Sequence, residues 1–329
     1  MRTADFDYKL PPELIAQTPA SKRDQSRLLV FDRQSGKISH RRFPDLLEFL
    51  VSGDVLILND SQVIPARLRG TNAKSGGKFE ILLLEENQTN DWWSMLRPGK
   101  RAPIGTQINL LKSDQSKSEI FATVGEINNE GHRRLRFSGT KNIFDELESL
   151  GEIPLPPYIE REKLLDEDRK RYQTVYAQVA GSIAAPTAGL HFTNELLDKI
   201  RSRGVEIRYV TLHVGLGTFA PIKTDSLADH VMHEERFEIS EETALAINEA
   251  KTKKKRIIAV GTTTVRVLES IAHKNSGRVL ALTDKTKIFI HPPYQFQIVD
   301  ALVTNFHLPR STLLMLVSAF ATPGEFSST

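Results

Sequence analysis

The sequence predicts an α/β fold, a mixed sheet covered by helices as three α/β/α layers, interrupted by a small inserted β-barrel. Three observations carry this. Strand-like and helix-like patterns alternate from about Ala180 onward, and such alternation implies a parallel or mixed sheet under helices. The runs Val55-Leu56-Ile57-Leu58 and Ile257-Ile258-Ala259-Val260 are wholly apolar, as buried strands are. Residues 67 to about 150 instead hold short β-prone runs separated by Gly- and Asn-containing turns, the signature of a small barrel or sandwich.

Taken in order, Phe43 to Leu50 carries a helical pattern and Asp54 to Asn59 an apolar strand. The inserted strands are expected at Phe79–Leu84, Trp92–Leu96, Gln107–Leu111, Glu119–Val124 and Arg134–Phe137, and helix periodicity returns at Asn142–Leu150. Gly151 to Pro157 is a stiff return crossing, because proline fixes φ and restrains its predecessor. Asn194 to Arg203 reads as a helix capped by Thr193 and closed by Gly204, and Val205 to His213 as a strand. Ser240 to Lys255 is helical, Ile257 to Val260 a strand with Gly261 at its exit, and Val267 to His273 helix-like. The expected division is a discontinuous α/β domain, 1–66 with 154–329, around an insert at 67–153.

Composition excludes several classes. With no cysteine among 329 residues, disulfides, thiolate catalysis and cysteine-held zinc or iron–sulfur sites are ruled out. The longest apolar run, Leu313 to Ala321, is less than half of the ~20 residues a membrane span needs, and the N-terminus lacks a signal segment. The net charge of +3 says little, but Lys251 to Arg256 holds five cations in six residues. Arg97 to Arg101 and Arg133 to Arg136 are smaller clusters. Such patches suit a polyanion, or are simply solvated faces.

Three stretches share one plan, a histidine between apolar neighbours beside a turn rich in Gly, Pro and Thr: Ala185 to Thr193 around His191, Val210 to Phe219 around His213, and Thr304 to Thr312 around His307. Histidine titrates nearest neutral pH and suits proton transfer. Gly261-Thr262-Thr263-Thr264-Val265-Arg266 offers free N–H groups, hydroxyls and a guanidinium, an anion site in prospect. Gly215-Leu216-Gly217-Thr218-Phe219-Ala220 matches a dinucleotide fingerprint in form only, since Pro221 follows and no helix opens there; it reads as a tight turn that approaches a ligand. No Walker A sequence is present. His230 and His233, on a helix, would share a face beside Glu234 and Glu235; the spacing is not that of a zinc protease, so a carboxylate orienting a histidine, a base or a plain surface turn is the alternative to a metal pair. Asn59 to Arg67 leaves a strand into a polar turn, the expected hinge into the insert. Four polar turns at strand ends are what an α/β sheet presents at its ligand crevice.

The same segments resemble one family, the S-adenosylmethionine:tRNA ribosyltransferase-isomerases of queuosine biosynthesis. The resemblance runs through Asp7 to Pro11, Leu14 to Gln17, Arg27 to Leu29, Val63 to Leu68, Pro154 to Ile159 and Tyr172 to Tyr176. It continues through Ala184 to Phe192, Leu212 to Gly215, Met232-His233 with Glu235, Gly261 to Arg266, and Thr304 to Pro309. The departures are Gln62 in place of a basic residue, Pro293 in place of a glycine, and an end at Thr329 ahead of a further helix and a Tyr/Arg/Phe-rich segment. The resemblance implies transfer of the ribosyl group of S-adenosylmethionine to the aminomethyl group of a 7-deazaguanine at the tRNA wobble position, with adenine and methionine leaving. It implies His191, His213 and His307 as the acid/base set, with Glu235 orienting them or acting as a base. Thr262, Thr263 and Arg266 would hold the methionine carboxylate, Gly215 and Gly217 would let backbone approach the nucleoside, and Thr187 and Asn305 would complete the substrate contacts. S-adenosylmethionine is then a consumed substrate rather than a cofactor, no metal is implied, and the tRNA anticodon stem-loop is the partner of a cytoplasmic monomer. The rivals are a tRNA-binding module without chemistry and a methyltransferase using the same donor.

Overall fold

The structure, a computed structural model, describes residues 1–161, 165, 167–215, 222 and 224–322. It divides into two compact units, Met1–Gln62 with Pro156–Thr329, and Val63–Leu155.

The first unit is built on a six-stranded sheet in the order Leu282–Thr286, Glu235–Ile239, Glu206–Leu212, Val55–Asn59, Ile257–Val260, Ala301–Val303. The last four strands are mutually parallel and the first two are added antiparallel, so the sheet is mixed as expected. Successive residues of a strand point to opposite faces. Val55 and Ile57 accordingly enter one core with Ile257 and Ala259, while Leu56 and Leu58 enter another with Ile258 and Val260. Helices Glu241–Thr252, Thr262–Lys274 and Thr312–Ala321 pack their apolar residues into the first core. Helix Asn194–Ser202 and the turn Phe43–Phe49 close the second. Two cores on either side of one sheet make the three layers.

Local chemistry sets the element ends. The side chains of Thr193, Ser240 and Ser311 accept N–H bonds at the starts of their helices. Gly261 stands at φ +87, a left-handed turn that lets helix Thr262–Lys274 start directly off the strand. That helix begins before Val267 because the three threonines, poor helix formers in water, are buried there and Thr264 Oγ1 donates to the Val260 carbonyl at 2.8 Å. Phe43–Phe49 is a 3-10 segment rather than a full α-helix. The strands Leu282–Thr286 and Ala301–Val303 and the hairpin Arg27–Phe31 with Ile38–Arg42 are additions that the apolar pattern does not announce.

The second unit is a closed antiparallel barrel. Its strands run Arg67–Asn72, Lys78–Gln88, Asp91–Arg97, Arg133–Ser138, Lys117–Ile127 and Gln107–Leu111, and the last pairs back on the first. Closure depends on Gly70: a Cβ there would lie 2.6 Å from Ile108 Cγ2 and 2.8 Å from the Asn109 carbonyl. Two of the basic clusters meet on this barrel, where Arg133 Nη2 donates to the Gly99 carbonyl at 2.6 Å. Arg134 is instead neutralised by Asp91 at 2.7 Å.

Three of the five cations of the Lys251–Arg256 cluster stand in ion pairs. Lys251 faces Asp300, Lys253 faces Glu249, and Arg256 grips the buried Asp54 with two nitrogens. Asp54 and Arg256 precede the parallel strands Val55–Asn59 and Ile257–Val260, so this cluster lies at the sheet edge opposite the polar turns.

One side chain ties the middle of the sheet together. The buried Asn59 amide donates to the Leu212 carbonyl at 3.0 Å and to Thr263 Oγ1 at 3.2 Å, and its oxygen accepts the N–H groups of Leu212 and Ser61, each at 3.1 Å. Asn59→Ala leaves buried partners unpaired and is expected to lower the unfolding free energy by about 2–4 kcal/mol. Urea titration checks it: the midpoint falls while the slope is unchanged.

Candidate active site

The parallel strands end at Leu212, Asn59, Val260 and Val303, and the antiparallel strand beginning at Glu235 starts at the same edge. That edge therefore receives His213 to Gly215, Asp60, Gly261 to Thr264, Thr304 to His307, and Glu235. These are the polar turns singled out in the sequence, now on one side of one sheet.

The residues fall into two groups. In the first, His191 ends the turn Thr187–His191, and Asn305 Nδ2 stands 3.4 Å from His191 Nε2. His191 Nδ1 lies 3.4 Å from the Arg23 carbonyl, and its ring lies against Phe43 with centroids 5.2 Å apart. His307 is in the same loop as Asn305, its Nε2 at 3.1 Å from Thr304 Oγ1. The turn holding Thr187 reaches the helix start, since a Cβ at Gly261 would be 4.0 Å from Ala188 Cβ. Asn305 and His307 thus share the loop that meets His191, and the turn carrying Thr187 approaches the start of the helix that carries Thr262 and Thr263.

The second group is His213, Gly215, Glu235 and Arg266. Gly215 N–H donates to Glu235 Oε1 at 3.1 Å, and Arg266 Nη1 pairs with Glu235 Oε2. Both side chains of this pair are 4% exposed. Among the described residues Arg266 Nε and Nη2 have no hydrogen-bond partner although buried. His230, Met232, His233, Thr312 and Leu313 line the same cavity. His230 and His233 stand in irregular chain, not on a helix, so the helical spacing that would pair them does not apply. Among the described residues no three His, Asp or Glu side chains are grouped to hold a metal.

Strand order separates the end of Glu206–Leu212, which leads to His213, from the end of Ala301–Val303, which leads to His307, by three strand spacings, about 14 Å between backbones at ~4.8 Å each. The two groups are nevertheless joined by one helix, because Thr262 and Arg266 are four residues apart and share a face. Gly217 lies outside the described residues, as does the rest of its motif from Leu216 to Ala220.

Burial sets the charge state of the site. It holds His191 and His213 below the usual imidazole range, with Arg236 adding to the effect at His213, and lowers His307 to about 4. All three shifts favour the neutral ring, a proton acceptor at neutral pH. The same desolvation raises the Asp60 carboxyl, which accepts the Thr211 hydroxyl at 2.6 Å. Sequence reading passed over Asn59 and Asp60 as a hinge; the signal was a pair of polar residues directly ending an apolar strand.

His213 also depends on a glycine. A Cβ at Gly181, whose φ is +144, would lie 2.9 Å from His213 Cε1. Gly181→Ala is expected to displace the ring and cut turnover about tenfold or more while the fold persists, checked by steady-state kinetics with circular dichroism. An NMR titration of His307 should show its inflection near 4 rather than near 6.5. Because the folded state resists protonating this ring, its contribution to stability is complete above about pH 6.5 and is lost as pH falls towards 4.

Among the described residues no helix is long and apolar enough to cross a membrane. The crystal structure of S-adenosylmethionine tRNA ribosyltransferase from Thermotoga maritima is similar to this chain at 38% identity, over 96% of this chain and 89% of that one, with a TM-score of 0.51. The sequence model described as queuosine biosynthesis protein matches residues 3–328. With a match of that extent, the chain belongs to the queuosine biosynthesis protein family.

Proposed function

We infer that this chain is an S-adenosylmethionine:tRNA ribosyltransferase-isomerase. It moves the ribosyl group of the donor onto the aminomethyl group of 7-aminomethyl-7-deazaguanine at the tRNA wobble position, giving epoxyqueuosine in tRNA and releasing adenine and methionine. The donor is consumed and no resident cofactor is needed. Family membership and the ribosyltransferase relative support the class of reaction. The observation that carries the donor is the buried Arg266, with two guanidinium nitrogens unpartnered among the described residues beside Glu235. A buried guanidinium with unused donors calls for an anion, and the pair offers a cation to a carboxylate and a carboxylate to an ammonium. The methionine end of S-adenosylmethionine carries both.

The histidines suit the proton transfers that follow. A sulfonium acidifies the neighbouring C5′ protons, and a neutral imidazole can take one. The imidazolium formed in that step is the acid that can protonate a ring nitrogen of the departing adenine. The depressed values of all three histidines favour acids generated during turnover over acids held in reserve. Glu235 has both oxygens engaged, by Gly215 N–H and by Arg266, so positioning is its better-supported role. The incoming amine must shed a proton, a task for His191 or His307 in the Asn305 loop. Thr187, Thr262 and Thr263 supply hydroxyls along the same edge, and Gly215 allows close approach of backbone.

Incubation with modified tRNA and S-adenosylmethionine tests the reading through its product. Free adenine is expected; S-adenosylhomocysteine would mark a methyltransferase, and tRNA binding with neither product a binding module. Arg266→Lys keeps a charge but loses the planar fork, and is expected to raise KM for S-adenosylmethionine about 10–100-fold with a smaller effect on kcat. His213→Ala with full turnover would remove that residue from the scheme.

A further inference from the structure

Among the described residues the most exposed large apolar side chain is Phe306, at 85%. It is in the loop between Asn305, which meets His191, and His307, which meets Thr304. The backbone around it is pinned at several points. Gly261 N–H donates to the Val303 carbonyl at 2.8 Å, Tyr8 Oη donates to the His307 carbonyl at 2.6 Å, and Arg310 N–H donates to the Phe6 carbonyl at 2.9 Å. A phenylalanine held out to solvent on a fixed turn has lost its burial and kept its geometry.

Resting on the ribosyltransferase reading, we propose that Phe306, with the neighbouring Tyr8, is a stacking platform for an unpaired nucleobase of the RNA loop. The surroundings fit a base better than a protein. Asn305 and His307, on either side of Phe306 in the chain, are polar, and Phe306 is far more exposed than the half-buried Leu308 and Pro309 that follow. A single-stranded loop presents splayed bases whose flat faces are satisfied by one or two aromatic rings. Tyr8 is 41% exposed and is tied by its hydroxyl to the Phe306 loop. Lys9, also exposed, stands beside it for a phosphate. The platform directly adjoins His307 and Asn305, so a base stacked there is carried to the edge where the sugar is transferred.

The test uses the full chain and an anticodon stem-loop RNA carrying fluorescent 2-aminopurine at successive loop positions. Wild type should quench the fluorophore at one position, and F306A should abolish that quenching and weaken RNA binding about 5–100-fold, the range of a base–aromatic stack. F306W should restore both. In turnover assays with modified tRNA, F306A should raise KM for RNA by a similar factor and leave KM for S-adenosylmethionine unchanged. RNA binding by F306A within twofold of wild type overturns the inference, as does a shift from oligomer to monomer in light scattering without loss of RNA binding. The two readings separate cleanly. No adenine release by wild type, with RNA binding still dependent on Phe306, sinks the ribosyltransferase reading alone. Adenine release with RNA binding indifferent to F306A sinks the platform alone.

Discussion

The site rests on a single buried amide. Asn59 is 1% exposed and ends the central strand, where it holds the end of Glu206–Leu212 and the first turn of helix Thr262–Lys274 at fixed positions. An apolar residue would fill that volume equally well, but it could not specify the relative height of two strand ends and a helix start. Hydrogen bonds contribute modestly to net stability, yet a buried polar group left unpaired is costly. The observed arrangement of the three elements satisfies both ends of this amide. Everything the candidate site uses from His213 to Arg266 inherits its position from that arrangement.

Charge is distributed by the same economy. At the starts of the strands, Asp54 and Arg256 neutralise one another, and Lys251 and Lys253 have carboxylates nearby. At the ends of the strands, Arg266 and Glu235 are also paired, but the pairing consumes only part of the guanidinium. Both pairs look alike in a charge count. One leaves buried donors unused and the other does not, and the proposed donor contact rests on that difference.

Much of this was legible in the residues. Apolar runs such as Val55–Leu58 and Ile257–Val260 announce buried strands because neither face meets water, and Thr193 announces a helix start because a hydroxyl there caps free N–H groups. The short edge strands were not legible. Leu282–Thr286 alternates weakly, and Ala301–Val303 is too brief to show any period. The three histidines were visible as a set, but their division was not, since strand order decides it and no local pattern encodes strand order. Asn59 and Asp60 were read as a hinge because their partners, Leu212, Thr263 and Thr211, are far away in sequence.

The edge strand Ala301–Val303 has a kinetic consequence. It is three residues long, only half-buried, and bonded to the sheet along one side, by Ile257–Val260. Strands of that kind detach at a free-energy cost far below that of unfolding the whole domain. The loop that follows carries Asn305, Phe306 and His307 and is tied independently, by Tyr8 Oη on the His307 carbonyl and by Arg310 N–H on the Phe6 carbonyl, so the strand's own amides are expected to exchange with solvent sooner than those of Val55–Asn59 while the loop keeps its place.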